Sequence, residues 1–185
     1  ILGNLILSFS KLLNQKAIHK PSAQHVLDDD YYKRIEAIQY TMSHDDWKKV
    51  DEINSADVVL LGVSRTSKTP TSIYLANRGY KTINIPLVLD QKIPRNLNSN
   101  TKACVIGLVA DPQRLADIRR NRVAIMNDHQ LKDYTNIDFI KKEVDDSKSL
   151  FKKNNWPVID VTRRSVEETA ASILKIIEIK KHKWK

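Results

Sequence analysis

Glycine and proline are scarce, at four and six residues in 185, so no large low-complexity region is expected. Cysteine occurs once, as Cys104. A lone cysteine excludes an intrachain disulfide and argues against a thiolate metal cluster. Its setting, Ala103-Cys104-Val105-Ile106-Gly107-Leu108-Val109, is apolar, so it reads as a buried structural thiol rather than a nucleophile. That usage fits a reducing cytoplasm. No apolar stretch reaches the roughly 20 residues of a membrane-spanning helix, since Ile1 to Leu13 is short and Lys11 and Lys16 interrupt it. The same segment lacks the basic start and small-residue cleavage site of a signal peptide. What is left is an amphipathic helix packed on the domain. There is no internal repeat, and the chain opens on Ile1 rather than Met, as a fragment, a processed product or a chain missing its true start would.

What is present is ordinary globular material: 41% hydrophobic and 29% charged residues. The length suits one domain, or one domain with a flanking helical piece. Lysine and arginine exceed acidic residues by 31 to 22, a formal charge of +9, and such a field attracts anions. Part of the excess is the tail Lys180-Lys181-His182-Lys183-Trp184-Lys185, which reads as a solvated end. Neither an aromatic-rich RNA motif nor a zinc pattern accompanies the charge, so nucleic acid is disfavoured as a partner.

Asp28 to Met42 reads as a helix with Asp28, Asp29 and Asp30 in its first turn, where acid complements the dipole. Trp47 to Ile53 suits another short helix. Ala56 to Leu61 is a valine-rich run of the kind buried in a parallel sheet. Gly62 to Thr69 is a loop. Pro70 suits the first turn of the next helix, and Gly79 ends it. Thr82 to Val88 is the next strand, Asp90 to Thr101 a polar loop, and Ala103 to Val109 a third strand. Asp111 caps a helix reaching Met126. Asn136 to Lys153 is a charged helix with Phe139, Ile140, Val144, Leu150 and Phe151 turned inward. Pro157 to Val161 is a short strand. Ser165 and Glu168 form a capping box on a last helix reaching Ile177. The alternation implies an α/β fold: a parallel-type sheet layered by helices, with a P-loop-like strand–loop–helix unit. Residues 1–54 then form a helical N-terminal segment and 55–185 the nucleotide-binding domain.

The candidate chemistry lies in Gly62-Val63-Ser64-Arg65-Thr66-Ser67-Lys68-Thr69. Binding phosphate takes inward-pointing amides, a helix N-terminus behind them and a cation. Gly62 permits the turn, Lys68 reaches the transferable phosphate, and the Thr69 hydroxyl can hold Mg²⁺. This is the logic of G-x-x-x-x-G-K-[ST], with Ser67 standing where the second glycine belongs. Arg65 can form a bidentate contact to a phosphate oxygen. Asp45 and Asp46, in His44-Asp45-Asp46, can hold Mg²⁺ or accept a hydroxyl proton; a polar helix end explains them equally well. Asp111 is better explained as a helix cap than as a metal ligand. Arg114, Arg119, Arg120 and Arg122 share one helix, with Arg119 and Arg122 on a common face that suits either a phosphorylated partner or plain solvent.

The stretch Gly62 to Asn77 resembles the signature of the pyruvate, phosphate dikinase regulatory proteins, bifunctional serine/threonine kinases and phosphorylases. Asp30 to Ile38 with His44-Asp45-Asp46, Gly107-Leu108 with Asp111 to Leu115 and Ile118 to Arg122, and Trp156 to Ala170 are similar to further segments of that family. Ser67 and the run Tyr74 to Tyr80 look like the dikinase branch rather than the branch acting on phosphoenolpyruvate synthase. The resemblance implies that ADP donates its β-phosphate to a threonine of the dikinase. In reverse, inorganic phosphate removes that phosphate and releases pyrophosphate. It implies Lys68 and Asp46 as catalytic residues, 62–69 as the nucleotide-binding loop and Thr69 as the Mg²⁺ ligand. It also implies a further N-terminal region ahead of Ile1, and leaves a homodimer open. Two other readings compete: an ordinary P-loop kinase of small molecules, and a non-catalytic basic binding module.

Overall fold

The computed structural model describes residues 3–16, 28–46, 50–88, 97, 102–126 and 132–182. The chain divides into two compact units, 1–32 and 33–185. In the first, α1 (Gly3–Leu12) has no buried residue. α2 (Asp29–Ser43) begins here, capped where the aspartates predict: Asp28 Oδ1 accepts from the Tyr31 amide at 2.8 Å.

The second unit holds the rest of α2, a 3₁₀ turn at Val50–Ser55, and β1 (Val58–Gly62), α3 (Lys68–Ala76), β2 (Thr82–Pro86) and β3 (Cys104–Val109). After these come α4 (Pro112–Met126), α5 (Lys132–Thr135), α6 (Ile137–Lys153), β4 (Val158–Asp160) and α7 (Val166–His182). The four strands form one parallel sheet in the order β2-β1-β3-β4, so the expected α/β class is the one observed. Val59 lies between Ile83 and Val105 in register.

The central strands read as unbroken apolar runs because both their faces are covered. Val58, Leu60, Ile106 and Leu108 join Leu75 of α3 and Ile173 of α7 in one core cluster. Val59, Leu61, Ile83, Ile85 and Val105 join Phe151 of α6 in the other. Gly107 makes the second possible, since a Cβ there would stand 2.4 Å from the Phe151 ring. Cys104 is buried, and burial raises its thiol pKa, as a structural thiol requires.

The caps fall where the sequence puts them. Asp111 Oδ1 accepts from the Arg114 amide at 3.0 Å. Ser165 and Glu168 form a reciprocal capping box at 3.1 and 2.8 Å. Gly79 turns the chain at φ 85° after α3.

Three details differ from expectation. The short helix α5 carries no clear periodic signal. Phe139 is 44% exposed rather than inward, because the buried stripe of α6 runs through Ile140, Val144, Ser147 and Phe151. The helix expected from Trp47 is a 3₁₀ turn, with 47–49 outside the described residues. The polar loop 90–101, except buried Leu97, and the tail residues 183–185 also lie outside them. No helix among the described residues is long and apolar enough to cross a membrane.

One topological point places the site. From β1 the chain crosses through α3 to β2 on one side, whereas β3 lies on the other side of β1. The winding therefore reverses between β1 and β3, and ligands of open α/β sheets bind at the carboxyl ends of the strands beside such a reversal. The loop 62–69 leaves β1 at that point.

Candidate functional site

Gly62 is the last residue of β1. A Cβ there would lie 2.6 Å from the Leu108 carbonyl oxygen and 2.7 Å from Thr66 Oγ1. The glycine is thus required by close approach to β3, not by the turn that the sequence suggests. The left-handed residues are Arg65 (φ 73°) and Ser67 (φ 57°). Ser67 occupies the glycine position of the phosphate-loop pattern and adopts the backbone that glycine takes freely. Ser67→Gly should therefore relieve strain, partly offset by the looser unfolded chain. A gain of up to about 1 kcal/mol is expected, read as a Tm rise of about 2–4 °C.

Lys68 opens α3 yet is only 6% exposed. Its Nζ donates to the Val63 carbonyl at 2.9 Å, and Thr66 Oγ1 donates to the same oxygen at 2.9 Å. Burial lowers the Lys68 pKa to about 8; Asp46 and Asp45 oppose the shift, while Arg119 and Arg65 add to it. The loop thus holds a readily titrated ammonium at a helix N-terminus, the charge arrangement an oxyanion needs.

Beside it stands a polar triad. Thr69 Oγ1 donates to the Asp45 carboxylate at 3.3 and 3.4 Å. Asn84 Nδ2, on β2, donates to Thr69 Oγ1 at 2.9 Å and also to Asp45 Oδ1. Asn84 is 1% exposed and its Oδ1 has no hydrogen-bond partner in the structure. Sequence reasoning missed it; the one signal was an amide inside the apolar strand run Ile83-Asn84-Ile85. Thr69 and Asp45 offer hard oxygens, and Mg²⁺ commonly takes only one or two carboxylates and keeps water and phosphate for its other positions. The pair fits that ion. Asp46 is exposed and acts on Lys68 through its charge.

The third member of the acidic motif points elsewhere. His44 is buried, its Nδ1 lies 2.7 Å from the Tyr40 carbonyl, its ring stacks on Tyr40, and Nε2 is 3.2 Å from Glu52. Burial and the Glu52 and Asp57 carboxylates push the Tyr40 hydroxyl up to about 12. This corner packs α2 against the 3₁₀ turn.

The arginines of α4 do not form one basic face. Arg119 is 1% exposed and turned inward, while Arg122 is exposed. Arg120 pairs with Asp117 at 2.8 Å. Arg114 helps line a separate open cleft of about 1020 Å³ between α4 and the turn after β4, with Asn121, Asp160, Thr162 and Arg163. In that turn Asp160 accepts from both the Thr162 hydroxyl and amide, which lower its carboxyl pKa. Thr162 Oγ1 in turn accepts from the Asp111 amide at 2.8 Å.

The chain has relatives among known proteins, and they define its class. It belongs to the kinase/pyrophosphorylase family, whose model matches residues 1–174. Among its relatives, a pyruvate, phosphate dikinase regulatory protein of Pelagibacter ubique is 62% identical, over 98% of this chain and 67% of its own. Proteins of the same name from Rhizorhabdus wittichii and Erythrobacter litoralis are 47% and 51% identical, over 95% and 89% of this chain and 64% and 59% of their own. The chain therefore spans about two thirds of the length of these relatives.

Proposed function

We propose that this chain is the nucleotide-binding part of an ADP-dependent serine/threonine kinase and phosphate-dependent pyrophosphorylase. Its target is then pyruvate, phosphate dikinase, after which its relatives are named. The observation that carries the reading is the buried Lys68 ammonium at the α3 N-terminus, inside a loop tightly apposed to β3. Such a cradle suits the diphosphate of ADP and pyrophosphate alike. The loop amides, Lys68 and Arg65 hold the phosphates and offset charge in the transition state. Thr69 and Asp45 would hold Mg²⁺, which would supply further charge neutralisation. Asp46, exposed beside them, accepts the proton of the attacking hydroxyl.

In the forward direction the acceptor threonine oxygen bonds to the β-phosphorus of ADP, the bridging P–O bond breaks and AMP leaves. In the reverse direction an oxygen of inorganic phosphate attacks the phosphothreonine phosphorus. Pyrophosphate forms and the threonine oxygen regains a proton.

The test uses [β-³²P]ADP and the dikinase. Label should pass to a threonine of the dikinase, and Asp46→Asn should slow transfer by about 10²–10⁴-fold with little change in ADP affinity. Label arriving only from γ-labelled ATP would reject the reading in favour of an ordinary P-loop kinase.

A further inference from the structure

Two residues of the loop hold backbone angles that side-chain-bearing residues avoid, Arg65 and Ser67. Such conformations persist only where the surroundings over-determine them. The structure shows what bears on Ser64, immediately before Arg65. Arg119 of α4 donates from Nη2 to the Ser64 carbonyl at 3.2 Å, and from Nη1 to the Tyr134 carbonyl at 3.2 Å. Nη1 is also 2.8 Å from Glu143 Oε2 of α6. The guanidinium lies over the Tyr134 ring at 4.7 Å, and Tyr134 Oη meets Ser64 Oγ at 2.9 Å. One buried cation thus ties three helices to a single loop residue.

The sequence gives no structural need for a charge there. α4 already buries Leu115 and Ala116 on its inner side, and an apolar side chain would continue that face without the desolvation cost of a guanidinium. What an apolar residue lacks is a rigid fork able to reach two carbonyls and a carboxylate together.

We propose that Arg119 is a positioning residue for the phosphate loop. Paired with Glu143 and braced on Tyr134, it pins the Ser64 carbonyl and so holds Arg65 left-handed. The amides of 64–68 then stay arranged for phosphate before any ligand arrives. This rests on the nucleotide-loop reading above and adds the element that keeps the loop in shape.

Removing Arg119 alone leaves the shielded Oε2 of half-buried Glu143 without its cation, and that variant can fail for reasons of folding. The decisive variant is the double replacement Arg119→Met with Glu143→Leu, because exchanging a buried pair for apolar residues is often neutral for stability. It is expected to melt near the wild-type temperature, to lose the left-handed backbone ¹³C shifts of Arg65, and to bind pyrophosphate about tenfold or more weakly, since preorganisation is lost. Arg119→Lys, which keeps charge opposite Glu143 but lacks the fork, should show the same loss of affinity. A double variant that does not fold, or that folds with unchanged Arg65 shifts and wild-type affinity, overturns the proposal. Wild-type protein that binds neither ADP nor pyrophosphate sinks the functional reading instead, and the Arg65 shifts still decide whether Arg119 sets the loop's shape.

Discussion

Raising the pH from 8 to 9 is expected to weaken nucleoside diphosphate binding by about fivefold, while the fold itself becomes slightly more stable. Both effects come from Lys68. Burial holds its pKa near 8 in the ligand-free protein, well under the value of about 10.4 of an unfolded chain. Bound phosphate favours the ammonium, so above pH 8 binding must take up a proton, and affinity falls with each pH unit. Folding has the opposite sign. Between about 8 and 10.5 the unfolded chain holds the Lys68 proton more tightly than the folded one. The penalty for burying that charge is therefore present below pH 8 and is relieved as pH rises. The gain is greatest in the lower part of this range, because two groups oppose it higher up: folding raises the Cys104 thiol from 9.0 and the Tyr40 hydroxyl from 10.0, so each costs stability as pH climbs past those values. Lys68→Ala should cost about 1.5–3 kcal/mol of ADP binding, or about 10–150-fold in Kd, and should flatten the pH dependence. Calorimetric titration of ADP at pH 7, 8 and 9 checks both. An affinity indifferent to pH and to the substitution would place the nucleotide elsewhere.

The second large effect concerns Gly62. An added methyl meets backbone, the Leu108 carbonyl oxygen at 2.6 Å, and backbone does not swing aside as a flexible side chain does. Gly62→Ala must therefore push β1 from β3 or tilt the start of the loop. A loss of about 2–3 kcal/mol is expected, lowering Tm by about 4–12 °C. Because the same Cβ also strikes Thr66 Oγ1 at 2.7 Å, nucleotide affinity should fall even at temperatures where the variant is folded. Thermal melts and ADP titrations on one sample separate the two losses; a variant with wild-type Tm would show that the strands yield easily.

The sequence was most legible where one local rule acts alone. The valine-rich run before Gly62 can only be a covered strand, and the Ser165–Glu168 box, the Asp111 cap and the Gly79 turn all follow from orphan backbone groups at helix ends. It was least legible where the deciding neighbour is distant along the chain. Gly62 answers to Leu108, Gly107 to Phe151, Ser64 to Arg119 and Tyr134, and Thr69 to both Asp45 and Asn84. Charge patterning put Arg119 with Arg122 on a basic face. The guanidinium is instead consumed inside, which helical spacing cannot show. Phe139 failed in another way: one step off a stripe is enough to put a large apolar ring in water.

The bond from Lys68 Nζ to the Val63 carbonyl sets an entry condition for any ligand. Without an anion one of the ammonium's three N–H groups already donates to its own loop, so a newcomer must displace an internal acceptor held at close range. A lone monoanion such as chloride or acetate offers about as much as the carbonyl it would displace. A diphosphate brings several charged oxygens at once, and its surplus over the carbonyl turns the lysine outward. For the proposed nucleotide loop, the resting contact is thus expected to act as a threshold that disfavours small monoanions and admits polyphosphates.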